Sequence, residues 1–122
     1  MQGDFGKFIC EKRKAKGITL RYFAEQVGIA AAYESDIEKG HRYPPDKDRL
    51  AKMAELLGLS EEDTNTMYDL AAGEKENGIA PDLPEYVMGM DNCRVALRMA
   101  REKGLDNSDW QKIIGIIEKQ KK

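Results

Sequence analysis

The chain has 122 residues, of which 41% are hydrophobic and 34% are charged, and its formal net charge is -2. This length suits one compact domain, or a small domain with a helical extension, but not two full-sized domains. No run approaches the roughly eighteen apolar residues of a membrane span, and the N-terminus lacks the apolar stretch of a signal peptide. We therefore expect a cytoplasmic protein that contacts no membrane.

The small net charge conceals an uneven distribution along the chain. Residues 1–58 contain 11 Lys and Arg against 9 Asp and Glu, residues 59–90 contain 1 against 8, and residues 91–122 contain 8 against 5. Nucleic-acid binding depends on the charge of the binding face, so a slightly acidic total does not exclude it. The acidic middle of the chain should point away from any DNA.

Apolar residues recur at helical spacing throughout the chain, which predicts an all-α fold. A first helix is expected over about 5–16. A second helix over 20–27 begins after Thr19, a good N-cap, and a third over about 30–39 follows after only one or two residues. Each of the three ends at a glycine. Two short helices joined through a glycine form a helix-turn-helix.

The segment that follows cannot continue a helix, because Pro44 and Pro45 each push the preceding residue out of the α region. Beyond this loop, apolar spacing predicts a fourth helix that ends at Gly58. A fifth helix begins after Ser60, a capping residue followed by an acidic first turn, and reaches about Ala72.

The second half of the chain contains a predicted boundary. Residues 73–83 are rich in glycine, proline and charge, which indicates a linker between an N-terminal domain over 1–72 and a helical extension over 84–122. Within the extension, Asp91 is expected to cap one helix, and Ser108 to begin a capping box that opens the last one.

The last helix carries the clearest apolar stripe in the chain, formed by Trp110, Ile113, Ile114 and Ile117. An extension of about forty residues is too short to hold an independent core. The stripe must therefore pack back onto the N-terminal helices or meet its copy in a symmetric dimer. The sequence leaves both arrangements open, and we expect a homodimer.

No residue pattern indicates catalysis, a cofactor or a metal. His41 stands alone in a loop, and Cys10 and Cys93 lie far apart and are expected to be reduced thiols. A glycine-rich phosphate loop, a nucleophile elbow and a paired-histidine motif are all missing from the sequence. We therefore expect a protein that is not an enzyme.

Several short motifs occur together, in register, between residues 5 and 58. They are GITL at 17–20, FAEQVGI at 23–29 and YESDIEKG at 33–40, followed by an arginine and paired prolines. This pattern resembles the repressor-type (phage repressor-like, XRE) helix-turn-helix family. The resemblance implies a five-helix repressor-like bundle in which helix 30–39 lies in the major groove, usually within a dimer that reads two half-sites.

The resemblance also implies which residues contact DNA. The positions that face base edges are Ala30, Ala31, Ala32, Tyr33 and Asp36. The positions that touch or neighbour phosphates are Thr19, Arg21, Lys39, Arg42 and Tyr43. The tyrosines could instead be packing residues, and the basic side chains an ordinary solvated face. A further pair in the family, here Arg13 and Glu38, should form a buried ion pair between helices one and three.

Two features depart from the family pattern. Three successive alanines at 30–32 limit direct readout to methyl contacts, so specificity should be modest and phosphate contacts should carry most of the affinity. Glu34 stands where the family places a buried aliphatic residue. An unpaired carboxylate there would cost several kcal/mol, so we expect Glu34 to reach solvent, find a basic partner or be displaced by repacking.

These features predict a sequence-specific transcriptional regulator that binds double-stranded DNA, with a repressor role expected. The alternative is a protein-interaction module, antitoxin-like or otherwise partner-binding, on a helix-turn-helix with weakened DNA readout. A ligand-sensing regulator is a third alternative and would need a pocket between the two parts of the chain. An open, electropositive surface around helix three would favour DNA, whereas an apolar, covered surface would favour a protein partner.

Overall fold

The computed structural model describes residues 3–75 and 78–121, and all regular secondary structure in these ranges is α-helical. The predicted all-α class is thus confirmed. In chain order the helices are α1 (Asp4–Ala15), α2 (Leu20–Val27), α3 (Ala31–Glu38), α4 (Lys47–Leu57), α5 (Glu61–Gly73), α6 (Pro84–Gly89), α7 (Asp91–Lys103) and α8 (Asn107–Glu118). In the described ranges no helix is both long and apolar enough to span a membrane. The chain divides into two compact units, the first ending at Pro84 and the second starting at Glu85.

The starts of three helices in the first unit follow the capping residues of the sequence. The side chains of Thr19, Asp46 and Ser60 each accept a hydrogen bond from a backbone N–H three residues later, at 3.0 to 3.1 Å. Each cap satisfies one of the N–H groups that the first turn of a helix leaves without an intrahelical partner. Local chemistry therefore sets where α2, α4 and α5 begin.

The helix starts in the second unit differ from those expected. Helix α7 is preceded by Met90 as its N-cap, and Asp91 is already its first helical residue. Helix α8 begins two residues earlier than predicted, because Asp106 and Asp109 form the capping box. Each of these two carboxylates accepts the backbone N–H of the other residue, and the Ser108 hydroxyl donates to Asp106 instead of capping the helix. Two carboxylates thus supply the reciprocal bonds of a capping box.

Helices α1 to α5 together form the core of the first unit. Helix α1 packs on α3 and α5, and helix α2 packs on α3 and α4. The largest fully buried apolar side chains of this core are Phe5, Ile9, Phe23, Ile37, Leu50, Met53, Leu57 and Met67. Helix α1 meets the C-terminal end of α3 at Gly6, where an added Cβ would lie 2.3 Å from the carbonyl oxygen of Ile37. Glycine is therefore required for this close approach, which holds the end of α3 against α1.

The sequence predicts a linker over 73–83, but the described part of this segment packs against the rest of the first unit. Residues 76 and 77 lie outside the described residues. Ala80 is buried in the core of the first unit. A Cβ on Gly78 would lie 2.2 Å from the carbonyl oxygen of Ala72, so the returning chain runs directly along the end of α5. The compact first unit consequently extends past this segment to Pro84.

The second unit has little interior of its own. Among its described residues, Ala100 alone is buried. Arg94 of α7 donates to the backbone carbonyl oxygens of Val87, at 3.0 Å, and Met88, which joins α6 to α7. Helices α7 and α8 together line an apolar pocket of about 260 Å³, whose walls include Ala96, Met99, Ala100, Leu105, Trp110 and Ile113.

Candidate nucleic-acid interface

The candidate interface is built on α2, the turn after it, and α3. Helix α2 ends at Gly28, whose φ of 91° lies in the left-handed region that glycine adopts without strain. The backbone N–H of Ile29 then donates to the carbonyl oxygen of Ala24 at 3.0 Å, so the chain turns within two residues. Ala30 is extended and serves as the N-cap of α3. The two helices pack together as a helix-turn-helix.

The residues that the family resemblance assigns to DNA lie mainly at the solvent-facing side of these helices. Thr19 caps α2, and Ala30 and Lys39 flank α3. Ala31 and Asp36 are partly buried. The exposed members of the set are Thr19, Arg21, Ala30, Ala32, Tyr33, Lys39, Arg42 and Tyr43. The outer face of α3 is therefore open over its first turn, where the family pattern places the base-reading positions.

Arg13 and Glu38 connect α1 to the end of α3 by a two-pronged ion pair. Nε of Arg13 donates to Oε2 of Glu38, and Nη2 donates to Oε1, both at 2.9 Å. The side chains are only 8% and 6% exposed. A third nitrogen of Arg13 donates to the carbonyl oxygen of Ile18 at 2.8 Å. This bidentate, charge-assisted arrangement fixes the end of α3 in both distance and orientation.

Glu34 lies on the inner side of α3, where it is 0% exposed. Neither carboxyl oxygen accepts a hydrogen bond from the described part of the chain. None of the three expected arrangements occurs: Glu34 does not reach solvent, is not displaced from the core, and forms no ion pair with the nearby Arg13, whose guanidinium is occupied by Glu38. The core instead contains a carboxyl group, whose charge state decides the cost of burial.

Burial is the main reason why the pKa of Glu34 is raised, to about 9. The neighbouring carboxylate of Glu38 raises the pKa further, and the positive charge of Arg13 opposes it only in part. For Glu38, burial acts to raise the pKa, but the hydrogen bonds and the positive charge of Arg13 outweigh it and the net pKa is lowered. At neutral pH, Glu34 is therefore protonated and Glu38 ionised.

The chain reverses immediately after α3. Gly40 has a φ of 82°, and a Cβ at this position would lie 3.0 Å from the Cα atom of Gly3. The backbone N–H of His41 donates to the carbonyl oxygen of Asp36 at 2.8 Å, which closes the end of the helix. The following residue, Arg42, is thereby directed back along the outer side of α3.

Arg42 lies beside two residues of the outer face of α3. Its guanidinium carbon is 5.1 Å from the centroid of the Tyr33 ring, a cation–π distance. Its Nε atom is 3.9 Å from Oδ2 of Asp36, and the two side chains are 59% and 43% exposed. We call Tyr33, Asp36 and Arg42 the Arg42 cluster. It combines residues that the sequence assigned separately to base edges and to phosphates.

Residues 11–63 match the helix-turn-helix family. The resemblance to the repressor-type helix-turn-helix is thereby confirmed. The match spans α2, the turn and α3 in full, and it also includes α4. Within residues 11–63 the chain is therefore similar to helix-turn-helix domains.

One solved structure, of a SinR protein/SinI protein complex, is similar to this chain. The similarity covers 93% of this chain and 94% of that chain, with 23% sequence identity and a TM-score of 0.46. No curated protein sequence matches the chain significantly.

Sequence reasoning did not find the protonated state of Glu34 or the Arg42 cluster. A signal was present for each. Glu34 and Glu38 are four residues apart on one helix, where two like charges repel and one carboxyl group tends to stay neutral. Tyr33 and Asp36 are three residues apart, so they lie on one helix face close to the arginine that follows the terminal glycine.

Proposed function

We propose that this protein is a transcriptional repressor that places α3 in the major groove of double-stranded DNA. One observation carries the proposal: the outer face of α3 is open in the described structure, while its inner face is fixed to α1 through Arg13 and Glu38. A recognition helix must be held rigidly from behind and be free in front, because its first turn has to enter the groove. The helix-turn-helix domain has this arrangement.

Phosphate contacts should supply most of the affinity. Arg21, in the first turn of α2, and Lys39, at the end of α3, are exposed. Thr19 and Tyr43 have hydroxyl groups at the same surface. By contrast, alanines at the reading positions offer no hydrogen-bond donor or acceptor, and their methyl groups can contact only the thymine C5-methyl. Binding should therefore be strongly salt-dependent, because each neutralised phosphate releases counterions.

We further propose that the second unit makes the protein a homodimer. Ile114 and Ile117 of the apolar stripe are exposed, whereas Trp110 and Ile113 of the same helix are partly buried and line the pocket between α7 and α8. A symmetric contact through the exposed part of the stripe would bury side chains that the unit itself does not cover. A dimer would also let two copies of α3 read two half-sites.

A partner-binding protein is the second candidate, because two observations favour it. The alanines on the reading face weaken base readout, and the pocket between α7 and α8 is apolar enough to receive side chains of another protein. In that case the exposed basic residues Arg21 and Lys39 would form an ordinary solvated surface. The two candidates differ in whether any duplex DNA is bound at low salt.

Fluorescence anisotropy with a selected duplex and a scrambled duplex, between about 50 and 200 mM salt, tests the DNA-binding proposal. Arg21→Ala and Lys39→Ala should each reduce the slope of log affinity against log salt by roughly 0.9 and weaken both duplexes about equally. Lys52→Ala, an exposed lysine on α4 outside the helix-turn-helix, is the matched control and should leave the slope unchanged. Absence of binding to any duplex at the low-salt end would overturn the proposal and support the partner-binding candidate.

A further inference from the structure

The Arg42 cluster lies on the surface that the proposed function turns toward DNA. Tyr33 is the third residue of α3, so the ring that Arg42 contacts belongs to the first turn of the recognition helix. The first turn of such a helix is the part that meets base edges. Although Arg42 lies outside α3, its guanidinium is thus brought over the reading end of the helix.

The contacts of Arg42 restrict its side chain but do not use the two terminal nitrogens of the guanidinium. Tyr33 contacts the guanidinium through its ring, and Oδ2 of Asp36 lies 3.9 Å from Nε. In the described ranges, no group is hydrogen-bonded to the two terminal nitrogens. The free edge of a guanidinium presents two parallel N–H donors, which match the N7 and O6 acceptors of guanine in the major groove.

The neighbours on α3 make room for this role. Ala31 and Ala32 end at Cβ, so neither of them competes with Arg42 for the bases. Asp36 places a negative charge beside the arginine, which lowers its attraction to phosphates in general but leaves its directional hydrogen bonds intact. A phosphate-contacting arginine would gain nothing from such a carboxylate, whereas a base-reading arginine gains a fixed orientation.

We infer that Arg42, oriented by Tyr33 and Asp36, is the specificity-determining residue of this domain and recognises a guanine in the major groove. This inference rests on the proposed DNA-binding function. It reassigns Arg42, which the family resemblance placed among phosphate contacts, and it gives the protein a source of sequence preference that the alanines of α3 cannot supply. Tyr33 and Asp36 act as positioning residues.

Selection from random duplexes followed by sequencing tests the inference, with the full chain and its variants compared under one salt concentration. The wild-type protein should select sites with a constant guanine, and replacement of that guanine should weaken binding by roughly 5- to 150-fold. Arg42→Ala should abolish the preference at this position and leave the other positions unchanged. The matched control, Lys39→Ala, should weaken binding to all duplexes while selecting the same sites.

Three further variants, at two positions, separate orientation from folding. Tyr33→Leu should reduce the guanine preference, whereas Tyr33→Phe, which keeps the ring, should preserve it. Asp36→Asn should raise affinity for all duplexes, because a repulsive charge is removed, and should lower the ratio between guanine and the other bases. Tyr33, Asp36, Lys39 and Arg42 are all exposed or partly exposed. Their variants should therefore fold, and thermal unfolding checks this.

The outcomes distinguish this inference from the proposed function. Equal weakening of all duplexes by Arg42→Ala, with unchanged selected sites, would make Arg42 a phosphate contact and overturn the inference alone. A wild-type protein that binds no duplex would overturn the proposed function and the inference with it. Loss of a single guanine preference in Arg42→Ala, with retention of that preference in Lys39→Ala and Tyr33→Phe, is the result that the structure predicts.

Discussion

Helices α1 to α5 of the first unit enclose a continuous set of buried apolar side chains, whereas the three helices of the second unit bury only Ala100 among their described residues. The two units have similar kinds of sequence, with amphipathic helices separated by glycine and capping residues. They differ in chain length. A unit of about forty residues cannot surround its own apolar stripe, and one of about eighty can.

The first unit also buries ionisable side chains, whereas no ionisable residue is buried among the residues described in the second unit. Arg13, Glu34 and Glu38 lie together between α1 and α3. Burying such groups is costly unless each is paired or neutralised, and here one carboxylate is paired while the other is protonated. The first unit thus encloses its own core and pairs or neutralises its buried ionisable groups, whereas the second unit leaves most of its apolar side chains exposed.

Removing the buried ion pair should have the largest effect on the first unit. Arg13→Ala leaves Glu38 buried without its cation, and it should lower the free energy of unfolding by about 3 to 5 kcal/mol. Lys12→Ala is the control, since Lys12 pairs with Asp63 at 2.9 Å but both side chains are more than a third exposed; it should cost less than about 1 kcal/mol. Urea unfolding at neutral pH measures both. Similar losses in the free energy of unfolding for the two variants would show that the buried ion pair stabilises the protein no more than the exposed one.

Glu34→Gln should stabilise the first unit in a pH-dependent way. The pKa of Glu34 is about 9 in the folded chain against an ordinary value of 4.5, so the folded state holds a proton that the unfolded state releases. The stability from this proton is complete below pH 4.5 and is lost as pH rises toward 9, at about 1.4 kcal/mol per pH unit.

Glutamine cannot ionise, so the variant should be more stable than wild type at pH 7 by about 3.5 kcal/mol, which is 2.5 pH units at about 1.4 kcal/mol each. The two proteins should converge near pH 4.5. Glu25→Gln, at an exposed position of α2, is the control and should follow the wild-type curve. Parallel curves for wild type and Glu34→Gln between pH 5 and 9 would contradict a protonated Glu34.

Replacing a helical glycine by alanine should change stability in opposite directions in the two units. In α1, an alanine at Gly6 would clash with the Ile37 carbonyl oxygen, and Gly6→Ala should destabilise the protein by roughly 1 to 3 kcal/mol. In α8, a Cβ at Gly115 meets no atom within 4 Å. Gly115→Ala should therefore stabilise that helix by up to about 1 kcal/mol. Thermal unfolding distinguishes the signs, and destabilisation by Gly115→Ala would reveal a close contact at α8 in the assembled protein.

The smallest effect is expected from one exposed isoleucine of the stripe. Ile117 is 63% exposed, and if it is buried in a homodimer, Ile117→Ala should weaken self-association roughly tenfold. Ile79→Ala removes an isoleucine of similar exposure, 56%, from the first unit and should leave self-association unchanged. Sedimentation equilibrium measures both. A monomeric wild-type protein would exclude the homodimer and leave the stripe for another partner.

Local signals in the sequence were sufficient to predict much of the fold of this protein. Periodicity indicated helices throughout, and Thr19 and Ser60 marked the starts of α2 and α5 because a cap bonds to a backbone N–H only three residues away. The motifs from residue 17 to 40 indicated the helix-turn-helix for the same reason, since each of its features lies within one or two helical turns.

Tertiary structure decided what depends on distant neighbours. The raised pKa of Glu34 follows chiefly from its burial, which no local pattern contains. The segment ending near residue 83 has the composition of a linker, yet Ala80 is buried because the chain returns to the core. The position of Arg42 over Tyr33 depends on the reversal after α3. Desolvation and side-chain contacts across a turn arise only when separate parts of the chain are packed together, so the sequence alone could not determine them.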